Sequence, residues 1–156
     1  MKNYQSAAAV DNEANDLEVI AFSISEGVFG LDIFNIKEII QPMALTVIPH
    51  SHPHVEGIIR LREEVIPVIN MAKVIGFSES GKTEEDKLIV TEKNGEKVAL
   101  HVHAVSRIHR VSPEQIEEPS KISQGLKDVT SGVVKMDEET MLLLDYDKIV
   151  GEIIIK

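Results

Sequence analysis

No cysteine and no tryptophan occur among the 156 residues, and aromatic side chains make up only 4% of them. Without cysteine there is no disulfide framework, thiol nucleophile or cysteine-based metal site, and a reducing compartment is compatible with the chain. With so few aromatics the interior must be built from Ile, Val and Leu, whose β-branched members pack best on a pleated face. A mainly β fold is the expectation. Positive charge is also scarce: 16 Lys plus Arg against 26 Asp plus Glu give a formal charge of −10. That balance favours solubility and disfavours nucleic acid and direct membrane binding. The nearest thing to a basic run, Ser106 to Val111, is sparse, and two tyrosines with four scattered phenylalanines make no stacking platform for bases. No apolar run approaches the roughly 18 residues of a membrane span. Asp11, Glu13 and Asp16 interrupt the start before a leader's apolar region can develop.

What is present reads as many short strands. Residues 1–16 are polar and rich in small side chains, a loose tail, and order is expected from Leu17. Ile20, Phe22 and Ile24 alternate, a turn falls at Glu26-Gly27, and Phe29, Leu31 and Ile33 alternate again, which predicts a hairpin. Asn35 followed by Glu38 resembles a capping box, and Ile36, Ile39 and Ile40 fall on one side before Pro42, so this stretch predicts a short helix or single turn. Residues 45–49 suggest another strand. Gly57 to Ile69 reads as a second hairpin about a polar joint, with Pro67 at an edge, end or bulge, and a brief helix ending by Gly76 follows. An exposed loop is expected near 78–87. Asn94-Gly95 then marks the strongest hairpin, because a type I′ turn needs positive φ at both central residues. Pro113 opens a turn, and two further strands and a C-terminal helix complete the chain. Helices of 10 to 15 residues do not alternate with the strands, which argues against a doubly wound sheet and for small barrels.

The search for chemistry returns little. His50, His52 and His54 form one cluster, and His101 and His103 could share one strand face toward a metal. Leu100, Val102 and Ala104 form the apolar alternate set, however, which assigns His101 and His103 to a solvated face. The carboxylate clusters at Glu63-Glu64, Glu84 to Asp86, Glu117-Glu118 and Asp137 to Glu139 all fall in predicted turns, where nothing raises a carboxyl toward neutral pH. Phosphate-binding glycine loops, nucleophile elbows and metalloprotease spacings are missing. No cofactor and no catalytic residue is expected. The reading is a protein that holds other proteins, with a metal-binding sensor or metal-dependent hydrolase built on the histidines as the alternative.

Residues 29–42 and 48–76, continued by 87–119 and 130–150, resemble the CheW-like chemotaxis coupling domain, and most closely its version at the N-terminus of CheV proteins. The resemblance spans roughly residues 17 to 152. It implies a non-enzymatic adaptor of two five-stranded SH3-like barrels sharing a hydrophobic core, here two intertwined subdomains over residues 17–156. It further implies a cytoplasmic protein recruited to membrane-associated receptor arrays, linking chemoreceptor tips to the histidine kinase CheA. CheV proteins add a receiver domain, so a CheW-type coupler and a CheV fragment both remain open.

The same resemblance implies receptor contacts at Arg62, Ile36 and Glu38 and kinase contacts at Ile39, Ile40 and Val47. Arg62 suits such a role because its guanidinium fork binds carboxylates and backbone oxygens. Glu38 admits two readings, a partner contact or the capping box. Ile36, Ile39 and Ile40 divide between core and interface. Gly57 matches an expected glycine needed for backbone conformation or close approach. Glu63 stands where the family has Gly, so the turn there is reshaped or mildly strained.

Overall fold

A computed structural model of the chain describes residues 15–77, 83–119 and 124–155. The expected tail over 1–16 lies almost wholly outside the described residues, and the expected loop near 78–87 lies partly outside them.

Eleven strands are found among the described residues. β1 (Leu17–Ile24), β2 (Gly27–Asp32), β8 (Ala104–Val111), β9 (Ile116–Glu117), β10 (Thr130–Lys135) and β11 (Thr140–Leu144) form a six-stranded sheet in the order β8-β1-β2-β11-β10-β9. β3 (Ile36–Ile40), β4 (Val55–Leu61), β5 (Glu64–Asn70), β6 (Lys87–Lys93) and β7 (Glu96–Val102) form a five-stranded sheet in the order β3-β6-β7-β5-β4. Both are mixed: β11 runs parallel to β2, and β5 parallel to β7. The chain thus begins in one sheet, crosses to the other and returns.

The expectation of two closed five-stranded barrels is corrected. One sheet has six strands, and neither closes, because no ladder joins β8 to β9 or β3 to β4. A barrel requires hydrogen-bonded pairing around its whole circumference. Here β3 stops at Ile40, before Pro42, and the following chain returns to β4 only through one bridge, Thr46 to Ile58. The segment expected as a strand over 45–49 reduces to that bridge.

Three apolar clusters hold the sheets together. Val19, Ala21, Val111, Val134, Met141 and Leu143 fill one side of the six-stranded sheet. Ile59, Ile66, Val68, Leu88, Val90 and Ala99 fill one side of the five-stranded sheet. Between the sheets lies the largest cluster, in which Phe22, Phe29 and Leu31 meet Ile69, Ile89 and Leu100. Strands facing two cores have no solvated side, and each fully buried aliphatic or aromatic residue contributes about 1.5–3 kcal/mol.

Among the described residues three short helices finish the packing. α1 (Met71–Ile75) starts where the Asn70 side chain accepts the Lys73 N–H at 3.1 Å and stops at Gly76, whose φ of 90° suits a left-handed cap. α2 (Gln124–Lys127) is one turn. α3 (Tyr146–Ile155) buries Tyr146, Ile149 and Val150 in the central cluster. Thr91 donates its single hydroxyl proton to the Val98 carbonyl at 2.8 Å, so the Tyr146 hydroxyl 2.6 Å away must be the donor to Thr91. Burial raises the Tyr146 phenol above its ordinary range, which keeps that proton in place.

The predicted helix over Asn35 to Ile40 is a second correction. Ile36–Ile40 is a strand paired with β6, preceded by a 3-10 turn at Ile33–Asn35 capped by Asp32, whose carboxylate accepts the Phe34 N–H at 2.9 Å. Five β-branched-rich residues gain a full ladder by joining β6, whereas an isolated helix of that length is below its nucleation threshold. Asn35 donates to the Glu92 carbonyl at 3.2 Å and caps nothing. Pro67 lies in an internal strand, but the ladder to β7 begins one residue later, at Val68 and Ala99, so no bond is lost to the missing N–H.

Candidate partner-binding site

The β4–β5 hairpin turns through two residues only, since Leu61 pairs with Glu64. Arg62 and Glu63 carry φ values of 49° and 73°, both in the left-handed region, as Asn94 and Gly95 do at 55° and 83°. This is the backbone demanded by a type I′ hairpin, whose twist matches that of the strands. Glu63 therefore occupies the conformation a glycine would adopt most easily, at a cost of roughly 1–2 kcal/mol for an L-residue.

The turn presents Arg62 to β3. Its two terminal nitrogens donate to the two oxygens of Glu38 at 2.7 and 2.8 Å, a bidentate pair across 24 residues of sequence. The capping-box reading of Glu38 is thus replaced: its carboxylate meets a guanidinium and no helix end. The hydrogen bonds from Arg62 hold the Glu38 carboxyl below its ordinary range. The pair ties together the two edge strands that no ladder joins. Glu64 and Lys97 form a second pair at 2.7 Å beside it. Arg62 remains 64% exposed, and the fork spends two of its five donors on Glu38, leaving three for a partner.

The isoleucines of β3 separate by a register shift between Ile36 and Glu38. Ile36 packs against the central cluster and Ile40 against the cluster inside the five-stranded sheet, whereas Ile39 faces solvent. Val47 is 72% exposed, just past the Thr46 bridge. Gly57 sits at a bulge in β4 directly beneath that crossing, and a Cβ there would lie 2.3 Å from the Thr46 carbonyl oxygen. The same hairpin walls an open groove of 660 Å³ lined by Ile48, His50, Val55, Ile58, Pro67 and Ile153.

His101 is not where alternation puts it. His101 is nearly buried between Glu56 and Asp86, 2.6 and 2.8 Å away, which corrects the solvated reading of His101 and of Asp86. Its strand is covered on both faces, so it has no solvated side. His103 accepts the Ser25 N–H at 2.8 Å. The rings of His52 and His54 lie 4.9 Å apart. Among the described residues no group of three or more His, Cys, Asp or Glu is placed to hold a metal ion, and the metal-dependent alternative has no support. Nor, among the described residues, is any helix long and apolar enough to cross a membrane. The Glu56–His101–Asp86 cluster escaped sequence reading because its partners lie 45 and 15 residues from the histidine.

An exposed ion pair, solvent-facing aliphatics and an open groove on a double-sheet scaffold are features of a protein-binding module. The CheW-like domain profile matches residues 18–153, and the chain belongs to that family of non-enzymatic chemotaxis scaffolds. It is 33% identical over 141 residues to the chemotaxis protein CheW of Thermotoga maritima, covering 90% of this chain and 92% of that one. It is also 29% identical to chemotaxis protein CheV3 of Helicobacter pylori, covering 93% of this chain and 50% of that one. The crystal structure of the scaffolding protein TtCheW from Thermoanaerobacter tengcongensis superposes with a TM-score of 0.76 at 31% identity, over 83% of this chain and 88% of the other. CheW and CheV relatives match alike, so the likeness reaches the family and does not single out CheV.

Proposed function

We propose that this chain couples the cytoplasmic tips of chemoreceptors to the histidine kinase CheA, in the cytoplasm at receptor arrays. The observation that carries the reading is the Glu38–Arg62 pair, which sits exposed at the mouth of the five-stranded sheet with donors to spare. In this reading Arg62, Glu38 and the neighbouring Ile36 meet the receptor, whose helical tip lies against the apolar groove beside Ile58 and Pro67. Ile39 and Val47, both exposed, supply apolar anchors to the kinase, with Ile40 supporting them from the sheet interior. Gly57 and Glu63 shape the hairpin and touch no partner.

Capture of the purified chain by a receptor-tip fragment and by CheA tests the assignment. Arg62→Ala is expected to weaken receptor capture about tenfold, the loss of roughly 1.4 kcal/mol of binding, with an unchanged circular dichroism spectrum. Ile39→Ser with Val47→Ser should weaken CheA capture and leave receptor capture intact. A folded wild-type chain that binds neither partner would refute the proposal. A receiver domain encoded directly after Lys156 would make the protein CheV-type within the same reading.

A further inference from the structure

The His101 imidazole bridges two carboxylates through both ring nitrogens. Nδ1 stands 2.6 Å from Glu56 Oε2 and Nε2 stands 2.8 Å from Asp86 Oδ2. All three side chains are withdrawn from water, at 10% exposure for His101, 15% for Glu56 and 2% for Asp86. A neutral imidazole has one N–H and one lone pair, while an ionised carboxylate only accepts. Both contacts are therefore hydrogen bonds only if the ring carries two protons or a carboxyl keeps one. Asp86 is not the carboxyl that keeps it. Its other oxygen accepts the Thr83 hydroxyl at 2.9 Å and the Thr83 N–H at 3.3 Å, so donors surround it as they would an ion.

Among the described residues no further charge acts on the ring or on Asp86. β4 contributes Glu56 and the 83–86 turn contributes Asp86; opposite His101, β5 offers neutral Asn70 and β6 offers Leu88. Lys87, next along β6, donates to the Glu85 carbonyl at 3.3 Å, and His103 is engaged with Ser25. The hydrogen bond to Glu56 raises His101 most, burial opposes it, and the bond to Asp86 adds to the rise. For Asp86, burial is the largest single influence and acts upward, yet the bonds from His101 and Thr83 together bring it below its ordinary range.

We propose that His101 is a charged latch: as an imidazolium it pins the start of β4 and the 83–86 turn to β7, and loss of the ring proton releases both. Glu56 lies one residue beyond Val55, which lines the groove, so the latch sets the position of the groove wall. The sign follows from proton binding. The folded ring holds its proton more tightly than the unfolded one, so the stabilisation is complete below about pH 6.5 and disappears as pH rises through the folded value. The device is a property of the fold and does not depend on which partner occupies the groove.

Imidazole nitrogen–proton correlation spectra of the full chain between pH 6 and pH 10, with amide hydrogen exchange across the same series, test it. At pH 6 both His101 nitrogens should carry imidazolium shifts, and the ring's midpoint should lie above the ordinary imidazole value of about 6.5. Above the ring's midpoint, exchange should rise about tenfold or more in residues 55–59 and 83–88 relative to β10 and β11, tenfold corresponding to one unit of proton-affinity difference. His101→Gln should give fast exchange in both segments at every pH. Glu56→Gln, which leaves the Asp86 contact, should lower the midpoint, and serves if the first variant does not fold. A single neutral tautomer at pH 6, a midpoint indifferent to Glu56→Gln, or exchange that ignores the titration would each overturn the latch.

Discussion

Replacing Gly57 by Ala is the sharpest test of how the five-stranded sheet is held at its open side. The added Cβ would lie 2.3 Å from the Thr46 carbonyl oxygen and 3.0 Å from Leu45 Cγ. Backbone cannot yield as a side-chain tip can, so the Thr46 segment must retreat by roughly 1 Å to regain ordinary contact. That movement breaks the reciprocal bridge, in which Thr46 N–H donates to the Ile58 carbonyl at 2.9 Å and Ile58 N–H to the Thr46 carbonyl at 2.8 Å. Two net hydrogen bonds are worth about 1 kcal/mol each, and forcing volume into a packed site costs about 1–3 kcal/mol more. A stiffer unfolded chain offsets about 0.4–1 kcal/mol. The expected loss is about 2–4.5 kcal/mol, read as a lower urea midpoint at unchanged slope, with faster exchange of the Ile58 amide. Gly151→Ala is the control: it lies within α3, a Cβ there meets nothing within 4 Å, and helix propensity favours alanine by about 0.5–1 kcal/mol. A Gly57→Ala protein within about 0.5 kcal/mol of wild type would mean that the Thr46 crossing is pliable and does not fix β4.

Glu63→Gly should leave stability unchanged or raise it by up to about 1 kcal/mol, because relief at φ 73° competes with added freedom in the unfolded chain; thermal unfolding showing a loss above that would assign Glu63 a stabilising contact of its own. Thr91→Val should cost more than Tyr146→Phe in chemical denaturation. The first strands a buried phenol donor, at about 1–3 kcal/mol, whereas the second leaves Thr91 still donating to Val98, at about 1 kcal/mol.

Local chemistry was the part of the fold legible in sequence. Asn94-Gly95, the brief helix that stops at Gly76, and the alternation of Ile20, Phe22 and Ile24 each act within a few residues, and each appears where the pattern puts it. What failed depends on residues far apart. Whether a sheet closes is decided by its two edges, and β3 ends before it can meet β4. Ile36, Ile39 and Ile40 fit a helical period better than an alternating one, and the strand forms because β6 offers a ladder, with a register shift that absorbs the broken alternation. Alternation assigns His101 to water because it presumes one wet face, which a strand between two cores lacks. At the site, Arg62 was legible as a contact-capable side chain, but its bond to Glu38 joins a turn and a strand that have no sequence relation. Arg62-Glu63 also adopts the geometry of Asn94-Gly95 without the residues that announce it.

An open sheet whose edges are tied by an exposed ion pair differs from a closed barrel in one consequential way. A ladder offers a partner nothing, whereas the Glu38–Arg62 pair can be shared: it stands in solvent, where such a pair adds little to stability, and both groups keep free lone pairs or donors. Two roles for the pair then make different demands. If Arg62 meets the receptor itself, Glu38→Gln keeps the guanidinium and should weaken receptor capture less than Arg62→Ala does. If the pair serves as a strut that sets the attitude of the hairpin, both substitutions sever it and the losses should be equal. The two-residue turn favours the first outcome, because Arg62 and Glu63 are already locked by the type I′ backbone and need no side-chain support to hold their direction.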